Sequence, residues 1–196
     1  MVHHLARRQG FTLIELLVVI AIISIIAGFL VPTLLRGRGE AYKVQCGNNL
    51  QQIYTFAMGY SDKKGTRAFP IAAKANPPAH ESLNEMISFD SEGLVPKMFT
   101  CPEGEATPAQ ADEKGNFVLE AENNSYAWVA KRTKNTTVNK PLSSDKYIQG
   151  YEDAEGPHDG HKKGMNVLNT DRSVAFVPET DPLLSGEEKL PAGLTR

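Results

Sequence analysis

A lone carboxylate, Glu15, sits inside an apolar run from Phe11 to Leu35 whose other polar side chains are Thr12, Ser24 and Thr33. An ionisable group in the middle of such a run costs ~2.5 to 3.5 kcal/mol in a bilayer, less near an edge, so its presence implies a partner. Cys46 and Cys101 are the only cysteines and could serve as a disulfide, as thiols or as metal ligands. Toward the C-terminus, Asp153, Glu155, His158, Asp159, His161 and Asp171 bring carboxylates and imidazoles together. Such groups can bind a cation, and the three-residue step from His158 to His161 suits one ion. Catalytic patterns are lacking: there is no Gly-x-Ser-x-Gly, no phosphate loop and no pair of carboxylates in a catalytic context.

The element that must carry Glu15 is a helix. From Leu16 to Val31 nothing is more polar than a serine. At ~1.5 Å per residue the whole apolar run reaches roughly 37 Å, against a hydrocarbon thickness of ~30 Å. It can span a membrane. Arg7 and Arg8 precede it with no acid nearby, which places the N-terminus on the cytoplasmic side and the rest of the chain outside. A secretory signal also has a basic start and an apolar core, but this run is longer and no small-x-small cleavage pattern follows it. A plain anchor would leave Glu15 unexplained.

Gly10-Phe11-Thr12-Leu13-Ile14-Glu15-Leu16-Leu17-Val18-Val19-Ile20 resembles the prepilin processing motif of type IV pilins and of the pseudopilins of type II secretion systems. The resemblance implies that a membrane-embedded prepilin peptidase cuts between Gly10 and Phe11 and that the new amine of Phe11 is methylated. It also implies that Glu15 meets the cationic N-terminus of a neighbouring filament subunit. Elementary electrostatics agree, because a charge-assisted partner removes most of the penalty on a carboxylate in an apolar bundle.

Beyond the anchor, the 196 residues are 41% hydrophobic and 22% charged, enough for one modest domain. The net charge is −2, and loss of residues 1–10 would remove two of the 21 basic side chains while leaving all 23 acids. That balance argues against a general nucleic-acid partner. Lys131, Arg132, Lys134 and Lys140 form a local basic patch, yet no aromatic residues are interleaved for base stacking. A solvated loop is favoured there over the DNA contact of a DNA-uptake minor pilin.

Pro32 removes one helical hydrogen bond and crowds the turn before it, predicting a kink or a loosened turn, with Gly37 and Gly39 as a second weak point. From Glu40 the pattern resumes, and Cys46, Leu50, Ile53, Ala57 and Tyr60 share one face for packing on a sheet. Ser61 to Gly65 closes the helix. Prolines punctuate the stretch from Thr66 to Pro102, leaving room for a short helix over Glu81 to Ser88 with Leu83, Met86 and Ile87 inward. Asp112 to Asn124 reads as irregular. Ser125 to Ala130 reads as a strand.

Cys46 and Cys101 are expected in a compartment that permits disulfides. A bridge would close a loop of ~55 residues and add about 2 to 4 kcal/mol. Buried free thiols remain the alternative, and a metal site from cysteines so far apart in sequence is disfavoured. The last legible element is a hairpin, Asn166 to Leu168 and Ser173 to Val177, around Asn169-Thr170-Asp171-Arg172. His161 and Asp171 are similar in spacing to the C-terminal signature of a pilin-like group, a histidine followed ten residues on by Asp-Gly. Arg172 stands where glycine is usual, which disfavours φ > 0 at that position. For His158, Asp159, His161 and Asp171 a structural role outweighs a metal role. Calcium is the one cofactor considered, because the resemblance extends to pseudopilins that bind it in a C-terminal loop. Asp153, Glu155, Asp159 and Asp171 offer oxygens of suitable hardness without a contiguous calcium-loop spacing. The tail reads as exposed.

The expected fold is α+β and pilin-like: a long N-terminal helix, its first half transmembrane, packed on a small antiparallel β-sheet with a loop-rich head. The expected division is a leader over 1–10, a transmembrane and filament-core helix over 11–35, a globular domain over 36–177 and a tail over 178–196. The expected role is a non-enzymatic subunit of a type IV pilus or type II secretion pseudopilus, held first in the bacterial cytoplasmic membrane. Its partners would be prepilin peptidase and other filament subunits. The rival reading is a membrane-anchored exported binding or enzymatic domain.

Overall fold

The computed structural model describes residues 11–73, 77–129, 133, 141–145, 161 and 164–178. Helix α1 runs over Leu13–Lys63, and its residues fall in two compact units, Met1–Glu40 and Ala41–Arg196.

In the first unit the helix is bounded by a reciprocal cap. Thr12 is the N-cap residue, and its Oγ1 accepts from the Glu15 backbone N–H at 3.3 Å while the Glu15 carboxylate accepts from the Thr12 backbone N–H at 2.8 Å and from the Thr12 hydroxyl at 2.7 Å. This is the Thr-x-x-Glu capping box, which satisfies otherwise orphaned donors at the helix start. The apolar stretch is long enough to cross a membrane, and its side chains are exposed within the chain. A surface of this kind needs lipid or other apolar helices around it. The helix is not ended at Pro32: it continues through Pro32, Gly37 and Gly39. One missing N–H removes a single rung, and a helix this long keeps its remaining hydrogen bonds on both sides.

In the second unit the helix face expected to be buried is buried: Cys46, Leu50, Ile53, Ala57 and Tyr60 all lie in the core. The helix ends at Lys63 and the chain turns through Gly65 at φ +67°, a conformation glycine adopts without a Cβ clash. Helix α2 (Ala79–Phe89) adds Leu83, Met86 and Ile87 to the same core, as their spacing predicts. The only tryptophan, Trp128, is buried and donates its indole N–H to the Pro70 carbonyl at 2.8 Å.

The sheet is an antiparallel meander, β1 (Ala127–Trp128), β2 (Pro141–Ser144), β3 (Gly164–Asn169) and β4 (Val174–Pro178), with spatial order equal to chain order. Together with the helices it makes an α+β architecture of the expected kind. The strand expected over Ser125 to Ala130 is shorter than its sequence suggests. Asn124 occupies the backbone of Tyr126 instead, its side chain accepting from the Tyr126 N–H at 3.2 Å and donating to the Tyr126 carbonyl at 2.7 Å. Such local side-chain bonds compete with ladder formation. Ala130 lies outside the described residues, as do Lys131, Arg132, Lys134 and Lys140 of the basic patch.

The hairpin joining β3 to β4 corrects one expectation. Arg172 adopts φ +73°, the left-handed value that its side chain disfavours. The turn holds it there: the Arg172 N–H donates to the Asn169 carbonyl at 3.0 Å, and the Asn169 N–H donates to the Ser173 carbonyl at 2.9 Å. Asp171 accepts from the Ser173 backbone N–H at 2.9 Å and from its hydroxyl at 2.6 Å. This is a type I turn followed by a left-handed residue, the three-residue hairpin geometry that usually takes glycine last. Arg172→Gly is therefore expected to stabilise the chain by about 1 kcal/mol, read as a higher denaturation midpoint by Trp128 fluorescence in detergent. A lower midpoint would mean that the arginine side chain stabilises the turn by more than its backbone costs.

Candidate functional site: a buried histidine clamp beside a disulfide

β3 is buried along most of its length, and its N-terminal end brings His161 into the interior. The Gly164 N–H donates to the His161 carbonyl at 3.0 Å, tying His161 to the start of the strand. Gly164 has φ +155°, and a Cβ built there would lie 2.1 Å from the Val177 carbonyl oxygen on β4. Glycine is required on both grounds.

The His161 ring is fully buried, with both nitrogens on carboxylates. Nδ1 lies 2.5 Å from Glu103 Oε2 and Nε2 lies 3.1 Å from Asp145 Oδ2. Glu103 follows Cys101 and reaches solvent at its edge, whereas the Asp145 side chain, just after β2, is fully buried. Asp145 is held in turn by Asn166 of β3. The Asn166 backbone N–H donates to Asp145 Oδ1 at 2.7 Å and its amide donates to Oδ2 at 2.5 Å. That amide also donates to the Lys43 carbonyl on α1 at 3.0 Å. The network thus ties the loop after Cys101, β2, β3 and α1 together.

Only a doubly protonated imidazole donates from both ring nitrogens. Burial alone would push the His161 pKa down, but the hydrogen bonds its ring donates to Asp145 and Glu103 and the charges of both carboxylates outweigh it, and the pKa is raised above the usual histidine value. With the folded pKa above the unfolded value of ~6.5, this clamp stabilises fully below about pH 6.5. Its contribution is lost as pH rises through the raised folded value. The denaturation midpoint should accordingly fall across the neutral-to-alkaline range. A His161→Gln chain should lack that slope, and a wild-type midpoint flat over the range would contradict the clamp.

Cys46 of α1 and Cys101 are joined as a disulfide with their Cα atoms 5.6 Å apart, within the usual span for such a bond. The bridge lies against the clamp, with Cys101 Sγ 3.9 Å from His161 Nε2. The ligand atoms of Cys46, Cys101 and His161 lie within 4.8 Å of one another. While the sulfurs are bonded to each other they offer no thiolate, and the group acts as a structural brace.

Other residues singled out by sequence are not gathered here. Asp171 sits at the hairpin turn, bonded to Ser173, so the His161 and Asp171 spacing marks the start and the turn of one hairpin. Asp153, Glu155, His158 and Asp159 lie outside the described residues, as does Gly10. Phe11 is exposed and Glu15 is engaged in the cap with Thr12. Glu103, Asp145 and Asn166 escaped sequence reasoning because partners 16 to 58 residues apart leave no local spacing. The Thr12 to Glu15 cap did leave one, the Thr-x-x-Glu pattern ahead of an apolar run.

Residues 5–31 match the family described as the prokaryotic N-terminal methylation motif. Over 58 residues the chain is 34% identical to the type IV major pilin protein PilA of Myxococcus xanthus (strain DK1622), an alignment covering 30% of this chain and 26% of that protein. The chain thus spans about a quarter of the length of the curated relative it matches. No solved structure matches. The motif, the pilin relative and the long apolar helix ahead of a small antiparallel sheet support a type IV pilin-family protein.

Proposed function

We propose that this chain is a structural subunit of a type IV pilus or type II secretion pseudopilus, processed by prepilin peptidase and assembled through its N-terminal helix. The observation that carries the reading is the methylation motif over residues 5–31, leading into a helix whose apolar side chains are exposed in the isolated chain. The same surface suits lipid before assembly and neighbouring helices after it. In this reading the peptidase cuts between Gly10 and Phe11, the amine of Phe11 is methylated, and the globular unit lies outside the cytoplasmic membrane.

Glu15 then has two successive partners. In the free chain it caps its own helix through Thr12. In the filament its carboxylate faces the charged amine of another copy, a stronger partner because both groups carry charge. Glu15→Ala should be cleaved and inserted normally yet be missing from sheared filaments, falling at least tenfold there while the membrane fraction stays constant. An anchored binding or enzymatic domain would show no such split, and unchanged filament yield from Glu15→Ala would reject the subunit reading.

A further inference from the structure

The pocket that braces the disulfide also presents the donor set of a closed metal site. Cys46 Sγ, Cys101 Sγ and His161 Nε2 converge there, and Asp145 Oδ2 adjoins the histidine on its Nε2 side. Nε2 is 3.9 Å from Cys101 Sγ and 3.1 Å from Asp145 Oδ2, and both sulfurs lie within 4.8 Å of the histidine. A tetrahedral zinc ion, with bonds of about 2.3 Å to sulfur and 2.0 to 2.2 Å to nitrogen and oxygen, sets donor separations of roughly 3.2 to 3.8 Å. The histidine and carboxylate, 3.1 Å apart, lie just short of that range. The two sulfurs must part from covalent contact by under ~2 Å.

The surroundings fit as well. Glu103 Oε2 accepts from His161 Nδ1, so the imidazole that loses its Nε2 proton keeps Nδ1 protonated and offers Nε2 as the ligand. This carboxylate, histidine and metal relay is the usual way proteins orient a ligating imidazole. The Asn166 amide donates to Asp145 Oδ2 and holds that carboxylate in place. Both cysteines, the histidine and the aspartate are buried, so water has little access to a coordination position.

We propose that, in its dithiol form, the globular unit binds one zinc ion through Cys46 Sγ, Cys101 Sγ, His161 Nε2 and Asp145 Oδ2, with Glu103 orienting the imidazole. Cysteine enters a new chain as the thiol, so this form precedes the disulfide. On binding, each thiol loses its proton and forms a sulfur–zinc bond. His161 gives up its Nε2 proton and donates that lone pair. Asp145 supplies an oxygen, and the released protons leave to solvent. The disulfide form cannot bind in this way, because neither sulfur has a charge to donate. Metal and disulfide are alternative cross-links between α1 and the loop at Cys101.

The test uses the full chain in mild detergent. It is reduced with a phosphine, which takes the oxygen of one water as it converts the disulfide to two thiols. Cobalt(II) is then titrated in as a coloured stand-in for zinc. The reduced chain should take one equivalent, with the intense absorption of a tetrahedral site and sulfur-to-cobalt charge-transfer bands, and zinc should displace it. The disulfide form and the Cys46→Ser/Cys101→Ser chain should show neither band. Glu103→Gln should keep the bands and bind zinc 10- to 100-fold more weakly. Far-UV circular dichroism on each sample checks that it is folded. Weak absorption without charge transfer, as surface histidines alone would give, overturns the proposal, as does equal uptake by reduced and disulfide-bonded chains. Unchanged zinc affinity in Glu103→Gln would overturn the role given to that carboxylate.

Discussion

Replacing His161 with alanine is expected to destabilise the chain by about 3 to 5 kcal/mol, the cost of breaking a buried ion pair from one side. Asp145 would stay fully buried without its cation, and Glu103 would lose its partner as well. The hydrogen bonds from Asn166 to Asp145 offset only part of this, since they are dipoles and leave the net charge in place. Denaturant unfolding of the full chain in detergent, followed by the buried Trp128, measures the loss. His161→Ala/Asp145→Asn should recover a substantial part of it, because the uncompensated charge is then gone. A loss below about 1 kcal/mol in the single variant would mean that the buried carboxylate does not need the imidazolium.

Gly164→Ala is expected to cost about 3 kcal/mol, at the upper end of what overpacking costs. The added methyl would meet backbone on the neighbouring strand, with the Val177 carbonyl oxygen at 2.1 Å and Pro178 Cα at 2.8 Å, as well as the Phe176 ring at 2.8 Å. A ring can rotate away, but the backbone of a paired strand moves only if the ladder between β3 and β4 opens. The strain falls next to His161, since Gly164 donates to its carbonyl. The variant should therefore also weaken the pH dependence of stability. By contrast, Gly115→Ala has open space around its Cβ and meets only the strain of φ +83°. It should lose about 1 kcal/mol. Equal losses at the two positions would show that the clash at Gly164 relaxes freely.

What could be read without coordinates follows from how far apart the interacting residues lie. The apolar run, the buried stripe from Cys46 to Tyr60, α2 and the terminal hairpin all rest on spacings within a few residues, and each stands in the structure. β2 was not legible, because Pro141-Leu142-Ser143-Ser144 has one apolar side chain and no alternation. Its serines are buried by pairing, with the Ser143 hydroxyl donating to the Ala127 carbonyl at 2.6 Å. The clamp was half legible. His161 stood out by its spacing to Asp171, but its true partners come from Glu103 and Asp145, which only the fold brings near. Arg172 was misjudged because turn hydrogen bonds and the Asp171 side chain outweigh the backbone preference of one residue.

These elements serve a single division of labour. The first unit supplies an apolar helix that is satisfied by lipid or by its own kind, and the second is a small head braced by the Cys46 to Cys101 link and the His161 clamp. The head needs that bracing because its sheet is short-stranded and many of its described residues lie outside helices and strands.

The most direct measurement is mass spectrometry of the N-terminal peptide of the protein purified from the membranes and filaments of its own cells. The proposed processing gives a chain beginning at Phe11 with a methylated amine and the apolar helix still attached. A chain retaining Met1 to Gly10, or one starting beyond Leu35, would contradict it.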